Sequence, residues 1–495
     1  MDTDQNTTSR KKIWHLYESL IYIGLFVLIF ALYTLTFPFR DADDFAIVQT
    51  VSSILMGVAV GGSIVLIVIK AIRKKLTAGF VAMCILVTAI AIRILFMLLV
   101  PLVFGSHDAG GNIYYIEHFT GSRFELPDSN WSQYYHPPLF HMFTGMTATA
   151  FQLFFPEANA WQLAGTSFIV NCFASVMMLI IIFKLFKTLG LKGKAFVFAF
   201  LMPAFSFTFV LMSVFMNNEA LAIMFTVACV FFIVRWYKNP GFGNIIFAAL
   251  CLGLGMMTKT SAVFVAVFAA IVFLTMLIRK MKEKDAMILF QFLVFVLIAV
   301  PIGMWFQVRN LILFDQPFGY VLRIPEGIDQ WLGDLTVSER YLTFPIANLF
   351  EFPFLIHNRD INPLYGNVCM NTIRTFSFGE IGVFWHMEIP QFVAAAILTI
   401  NLLVLAIAIV FTFIALICAI KKRNVIILAI FVFSLALLGS YLYFSYDYPF
   451  VCTANYRYIM FLTVAFGAFI GYSIQTIAGR KKKIKDLIIE TEETI

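Results

Sequence analysis

The sequence predicts an all-α polytopic membrane protein, a bundle of about twelve transmembrane helices with juxtamembrane helices in the first large outer loop. Three observations predict it. Of 495 residues, 61% are hydrophobic and 13% charged, far more apolar sequence than a soluble core needs. Apolar runs of spanning length recur along the chain. Clusters of Lys and Arg fall between alternate runs, as they do in cytoplasmic turns. The net charge of +7 is therefore read against the bilayer, and no nucleic-acid partner is implied.

The runs lie near 15–37, 46–69, 78–104, 161–186, 195–213, 218–236, 243–258, 260–278, 286–305, 391–420, 425–446 and 456–478. A further apolar segment, 138–155, is expected to lie along the interface, because a crossing there would break the alternation of basic turns. The clusters Arg10-Lys11-Lys12, Lys70 to Lys75, Arg279 to Lys284, Lys421-Lys422-Arg423 and Arg480 to Lys485 then share one side. With that side cytoplasmic, both termini are cytoplasmic and the protein is expected in the plasma membrane. The first run has a basic flank like a signal sequence but ends in TLTFPFRDADD, without a small-x-small cleavage site, and reads as a retained anchor.

Three regions follow. Residues 1–75 hold two N-terminal spans, 76–478 form the main transmembrane region with outer loops 105–160 and 306–390, and 479–495 form a cytoplasmic tail. The second outer loop is rich in aromatic and turn residues and reads as amphipathic pieces at the interface, either a lid over a site or a plain anchoring belt. Five of the seven cysteines fall in spans; Cys369 and Cys452 are placed outside, where a disulfide is possible. No metal-ligand spacing is present, although His107, His118, His136 and His141 lie close enough in sequence to leave a site open.

Residues 105–141, GSHDAGGNIYYIEHFTGSRFELPDSNWSQYYHPPLFH, concentrate polar groups that are costly to keep beside a membrane without a role. A helix starting near Asp108 puts Asp108, Asn112 and Tyr115 on one face, and its positive start favours the carboxylate. Asp108 can then serve as a general base or only as a helix N-cap. Pro137-Pro138 can open a helix, holding His136 rigidly at its entrance. Arg93, halfway along a span, is too deep to reach water and is expected to pair with an acid or a carbonyl inside the bundle.

An acid after an outward span, an aromatic helix and then YYHPPLFH resemble the first outer loop of the GT-C membrane glycosyltransferases, nearest to glycosyltransferase family thirty-nine. That family includes the protein O-mannosyltransferases and the lipid A aminoarabinose transferase. Met216-Asn217-Asn218-Glu219-Ala220, GLGMMTKTSA, PIGMWFQVRNLILFDQPFG and Asn455-Tyr456-Arg457-Tyr458 follow in the family's order, so the resemblance runs over roughly 100–460. It departs in Glu219, where the family usually has Asp, and in two extra spans before the acidic loop.

The resemblance implies a GT-C-like bundle. It also implies inverting transfer of a sugar, hexosyl or pentosyl, from a polyprenyl-phosphate carrier to an outer-face acceptor, with the bilayer and the lipid-linked sugar as partners. One carboxylate must take the acceptor's proton and cations must hold the phosphate. Asp108 matches the first role; Lys259, Arg309 and Arg457, at expected outer span ends, match the second, each alternatively a snorkelling interfacial cation. Glu219, Asn218, His136, Tyr115 and Glu380 are candidates to support the site or bind acceptor. No metal is assigned and no cofactor is required, since Lys and Arg can supply the charge. The alternatives are a lipid or glycolipid transporter or flippase, for which repeated halves and midplane charges would speak, and a non-catalytic envelope-assembly homologue.

Overall fold

The apolar runs fold into helices that bury their backbone polar groups within themselves, as a bilayer demands. The computed structural model describes residues 2–40, 45–102, 109–121, 124–128, 131–323, 325–326, 328, 330–355, 362–380 and 389–492, with side chains from Tyr17 to Gly479. In chain order the α-helices are α1 Asp2–Thr36, α2 Phe45–Ile72, α3 Ala78–Leu99, α4 Ala109–Gly121, α5 Leu139–Gln152, α6 Ala160–Ala164, α7 Ser167–Thr188, α8 Gly193–Phe205 and α9 Phe207–Leu211. They continue as α10 Glu219–Lys238, α11 Phe242–Thr258, α12 Val265–Lys282, α13 Met287–Phe314, α14 Ile346–Glu351, α15 Val368–Phe378, α16 Gln391–Lys422, α17 Val425–Asp447 and α18 Phe461–Glu492. Among the described residues no β-strand forms, and one isolated bridge joins Trp331 to Phe450.

Among the described residues, ten helical segments are long and apolar enough to cross a membrane, and Gly193–Phe205 and Phe242–Thr258 are shorter apolar helices. The protein is a multi-pass membrane protein with an all-helical bundle. Several expected runs differ in detail. The third stops at Leu99 before Pro101, the fourth breaks at Gly165 between α6 and α7, and the fifth divides at Ser206 into α8 and α9. The twelfth begins with a separate 3-10 turn, Tyr456–Ile459.

The two ends of the bundle carry different fastenings. At one end Arg40, just past α1, donates to the carbonyls of Met97 (2.8 Å) and Val100 (3.3 Å) at the end of α3. At the other, Lys184 of α7 pairs with Glu18 of α1, and Gln475 of α18 bridges Gly190 and Lys192 in the α7–α8 turn at 2.9 Å each. Helix α7 is buried along most of its length, whereas α2 packs on α3 and exposes nearly all the rest.

Arg93 finds carbonyls rather than an acid. Fully buried, it donates from Nε to Ser175 Oγ (2.9 Å), from Nη1 to the carbonyls of Ala89 and Ala204 (3.0 Å each) and from Nη2 to that of Pro203 (3.3 Å). The last carbonyls of a helix lack intrahelical donors, so Arg93 of α3 satisfies the end of α8 while fastening α3, α7 and α8 together.

The long segment between α13 and α16 is more than a surface belt. Helix α15 is buried along most of its length: Thr208 Oγ1 of α9 donates to the Thr375 carbonyl (3.0 Å), and the Tyr456 amide donates to Thr375 Oγ1 (2.9 Å). Cys369 of α15 carries no disulfide; its thiol donates to the Tyr341 carbonyl at 3.7 Å.

Candidate active site

Charged side chains from four parts of the chain meet where α10 begins and α11 ends. Asn171 of α7 donates to the Asn217 carbonyl (2.9 Å), Asn217 Oδ1 accepts the Glu219 amide (3.1 Å), and Asn218 Nδ2 donates to the Thr258 carbonyl (2.9 Å). These bonds hold the start of α10 against the end of α11, which puts Lys259 beside Glu219. Lys259 Nζ donates to Glu219 Oε1, and the first turn of α10 favours the negative charge there.

Arg457 completes the group from the turn before α18. Its Nε lies 4.0 Å from Glu219 Oε1 and its Nη1 3.3 Å from Glu380 Oε1. Asn455 organises this corner: its Oδ1 accepts the Arg457 amide (2.9 Å) and its Nδ2 donates to Glu380. The Tyr458 ring faces both cations, Lys259 Nζ at 4.9 Å and Arg457 Cζ at 5.1 Å from its centroid, a cation–π arrangement. Burial pushes the Tyr458 hydroxyl above its ordinary value, so it stays protonated and accepts from Arg457 Nη2 at 3.0 Å. A cavity of about 50 Å3, lined among others by Glu219, Lys259, Ser261, Arg457 and Tyr458, opens beside them, with room for a few waters.

The segment from α4 to α5 forms a second polar group. Asp108 lies outside the described residues. The helix expected after it is present as α4, and Asn112 and Tyr115 share its buried face. Asn112 Oδ1 meets His141 Nε2 at 2.9 Å, and the Tyr115 ring stacks on His141 at 4.1 Å. Burial, and secondarily the charge of His136, pushes His141 well below the usual imidazole range, so it is a neutral partner. The Tyr115 hydroxyl donates to the His136 carbonyl at 3.2 Å; the backbone of His136 is thus fixed, and α5 opens right after Pro138 as the Pro-Pro step predicts. Gly111 is required where it stands, because a Cβ there would collide with Ser132 and Gln133.

The expected cation trio divides. Lys259 and Arg457 come together, whereas Arg309 donates to the Pro127 carbonyl (2.7 Å) and Asn310 Oδ1 (3.1 Å) and lies 3.8 Å from Asp128. It ties the end of α13 to the first outer loop. Glu380 is 2% exposed and held by Arg457 and Asn455, not solvated as loop acids commonly are. Among the described residues no three His, Cys, Asp or Glu side chains converge to hold a metal ion.

Residues 136–305 match the family described as dolichyl-phosphate-mannose-protein mannosyltransferase. The chain resembles a GT-C membrane glycosyltransferase. The match supports, at a coarse level, transfer from a polyprenyl-phosphate sugar, and its span contains Asn218, Glu219 and Lys259 but neither Asp108 nor Arg457. No curated protein matches the chain.

Two features of this glycosyltransferase-like bundle escape the motifs. An apolar cavity of about 890 Å3 lies between α3, α8, α15 and α16, lined by residues such as Phe96, Phe205, Phe376, Phe378, Ile397 and Phe411. It ends against α15, two residues before Glu380, and Phe376 packs edge-on to Tyr456 at 4.9 Å, next to Arg457. Arg374, also on α15, is fully buried and pushed down to about 9 by that burial; its Nη1 donates to Asn362 Oδ1 (3.0 Å) and Asn371 Oδ1 (3.1 Å). The Asn371/Arg374 spacing on one helix face was its only sequence signal. Asn112 was placed by helical spacing and Asn455 by the Asn-Tyr-Arg-Tyr step, but neither signal named their partners, His141 and Glu380.

Proposed function

We propose that the protein moves a sugar from a polyprenyl-phosphate carrier to an acceptor hydroxyl on the outer face of the membrane, with inversion. The acceptor oxygen attacks the anomeric carbon as its bond to the phosphate oxygen breaks. The hydroxyl proton passes to the Asp108 carboxylate, and the carrier leaves as a phosphate monoester. Lys259 and Arg457 hold the phosphate and stabilise the charge that builds on its leaving oxygen. Glu219, Asn218 and Glu380 keep those cations in place, while Tyr115 and His136 shape the loop that carries Asp108.

The observation that carries this reading is the convergence of Lys259 and Arg457, from distant parts of the chain, on one site; an apolar cavity ends at Phe378, two residues before Glu380 of that site. An amphiphile with a long apolar tail and an anionic head has the chemistry for both: the tail along α15 and α16, the head at the cations. A transporter would share the lipid site but would not need a base.

The test is Asp108→Asn in membranes supplied with polyprenyl-phosphate mannose. Transfer is expected to fall by about 10²- to 10⁴-fold, the range for loss of a general base, with donor binding retained. Full turnover in the variant would remove Asp108 from the mechanism.

A further inference from the structure

The cations of the site are already occupied by carboxylates. Lys259, Arg457, Glu219 and Glu380 carry two positive and two negative formal charges, and the side chains are 16%, 7%, 9% and 2% exposed. An anion entering this group meets the Glu219 carboxylate directly, because a single oxygen of Glu219 faces both cations. The two acids are not equivalent. Glu380 lies deeper, fixed by Arg457 and Asn455, whereas Glu219 lines the cavity together with both cations. In a buried site of low effective dielectric, a phosphate and Glu219 cannot share Lys259 and Arg457 without strong repulsion.

We propose that Glu219 is a displaceable counter-ion: it holds Lys259 and Arg457 in position when the site is empty, gives way to the phosphate of the incoming lipid, and returns to expel the product. This rests on the reading of Lys259 and Arg457 as the phosphate site. The need for expulsion follows from the chemistry. The donor phosphate is a diester with one negative charge, and the product is a monoester with about 1.5 to 2 at neutral pH. Two fixed cations without a competitor would hold the product more tightly than the substrate and stall turnover. Glu219 opposes that trend because its own carboxylate is ready to replace the leaving phosphate. It acts through Lys259 and Arg457 and is a positioning residue.

The experiment measures polyprenyl phosphate binding to the detergent-purified full chain, followed by single-turnover and steady-state transfer from polyprenyl-phosphate mannose. Glu219→Gln removes the competing charge and keeps the side-chain length. It is expected to bind polyprenyl phosphate about tenfold more tightly, since like-charge juxtaposition is removed. Its steady-state kcat should fall by more than its single-turnover rate, and donor KM should drop. Glu219→Asp keeps the charge but withdraws it by one methylene, and about threefold tighter binding is expected, since charge interactions weaken with distance; this variant decides the matter if Glu219→Gln does not elute as a monodisperse species. Unchanged or weaker product affinity in the variants that fold would overturn the counter-ion role. Absence of polyprenyl phosphate binding by the native protein would instead overturn the phosphate site itself, and the counter-ion role with it.

Discussion

Arg93 and the Lys259–Arg457 pair are all cations held mostly inside the protein, yet they are satisfied in opposite ways. Arg93 donates to a serine hydroxyl and three backbone carbonyls, neutral acceptors fixed in the helices they belong to. Lys259 and Arg457 face carboxylates on side chains, of which Glu219 lines the cavity and Glu380 is held by Asn455. Carbonyl pairing makes Arg93 a fastening, as carboxylate pairing does for Lys184; what sets Lys259 and Arg457 apart is the cavity they line. Arg309 is a third case, joined to a loop carbonyl and to a fully exposed aspartate.

This contrast can be broken by substitution, beginning with the largest effect. Arg93→Met should leave the Ser175 hydroxyl and the α8 terminal carbonyls without this donor and lower stability by about 1–3 kcal/mol for each buried acceptor left unsatisfied. Thermal unfolding in detergent would record it, with polyprenyl phosphate affinity unchanged in the fraction that stays folded. Specific loss of affinity with native stability would reverse the assignment of fastening and site. Arg309→Gln should cost the least, about 1 kcal/mol or less, because the Asp128 partner is exposed. Donor KM measured on that variant should move by no more than about fivefold; a hundredfold rise would return Arg309 to the phosphate site.

Most of the bundle was legible in the sequence because hydropathy and the alternation of basic turns are local signals. The start of α5 after Pro138 and the inward face of Asn112 and Tyr115 were equally local, set by proline chemistry and helical spacing. Arg93 could be assigned a buried partner, but not which one, since that depends on how α8 ends. The same parity of spans brought Glu219, Lys259 and Arg457 to one end. It could not show that Glu380 turns inward to Arg457 or that Arg309 turns aside to Pro127, because those pairings are made between irregular loops whose register no periodicity encodes. The Asn112–His141 bond and the Asn455 bracket were hidden for the same reason: each is a single long-range hydrogen bond.

The central claim is that Lys259 and Arg457 form the site for a lipid-linked phosphate. Its most direct test is the affinity of the purified protein for polyprenyl phosphate after Lys259→Gln and Arg457→Gln are combined. Each charge-assisted hydrogen bond is worth about 1.5–3 kcal/mol, so binding should weaken by more than about a hundredfold while the variant remains monodisperse. A folded double variant that binds as tightly as the native protein would contradict the account.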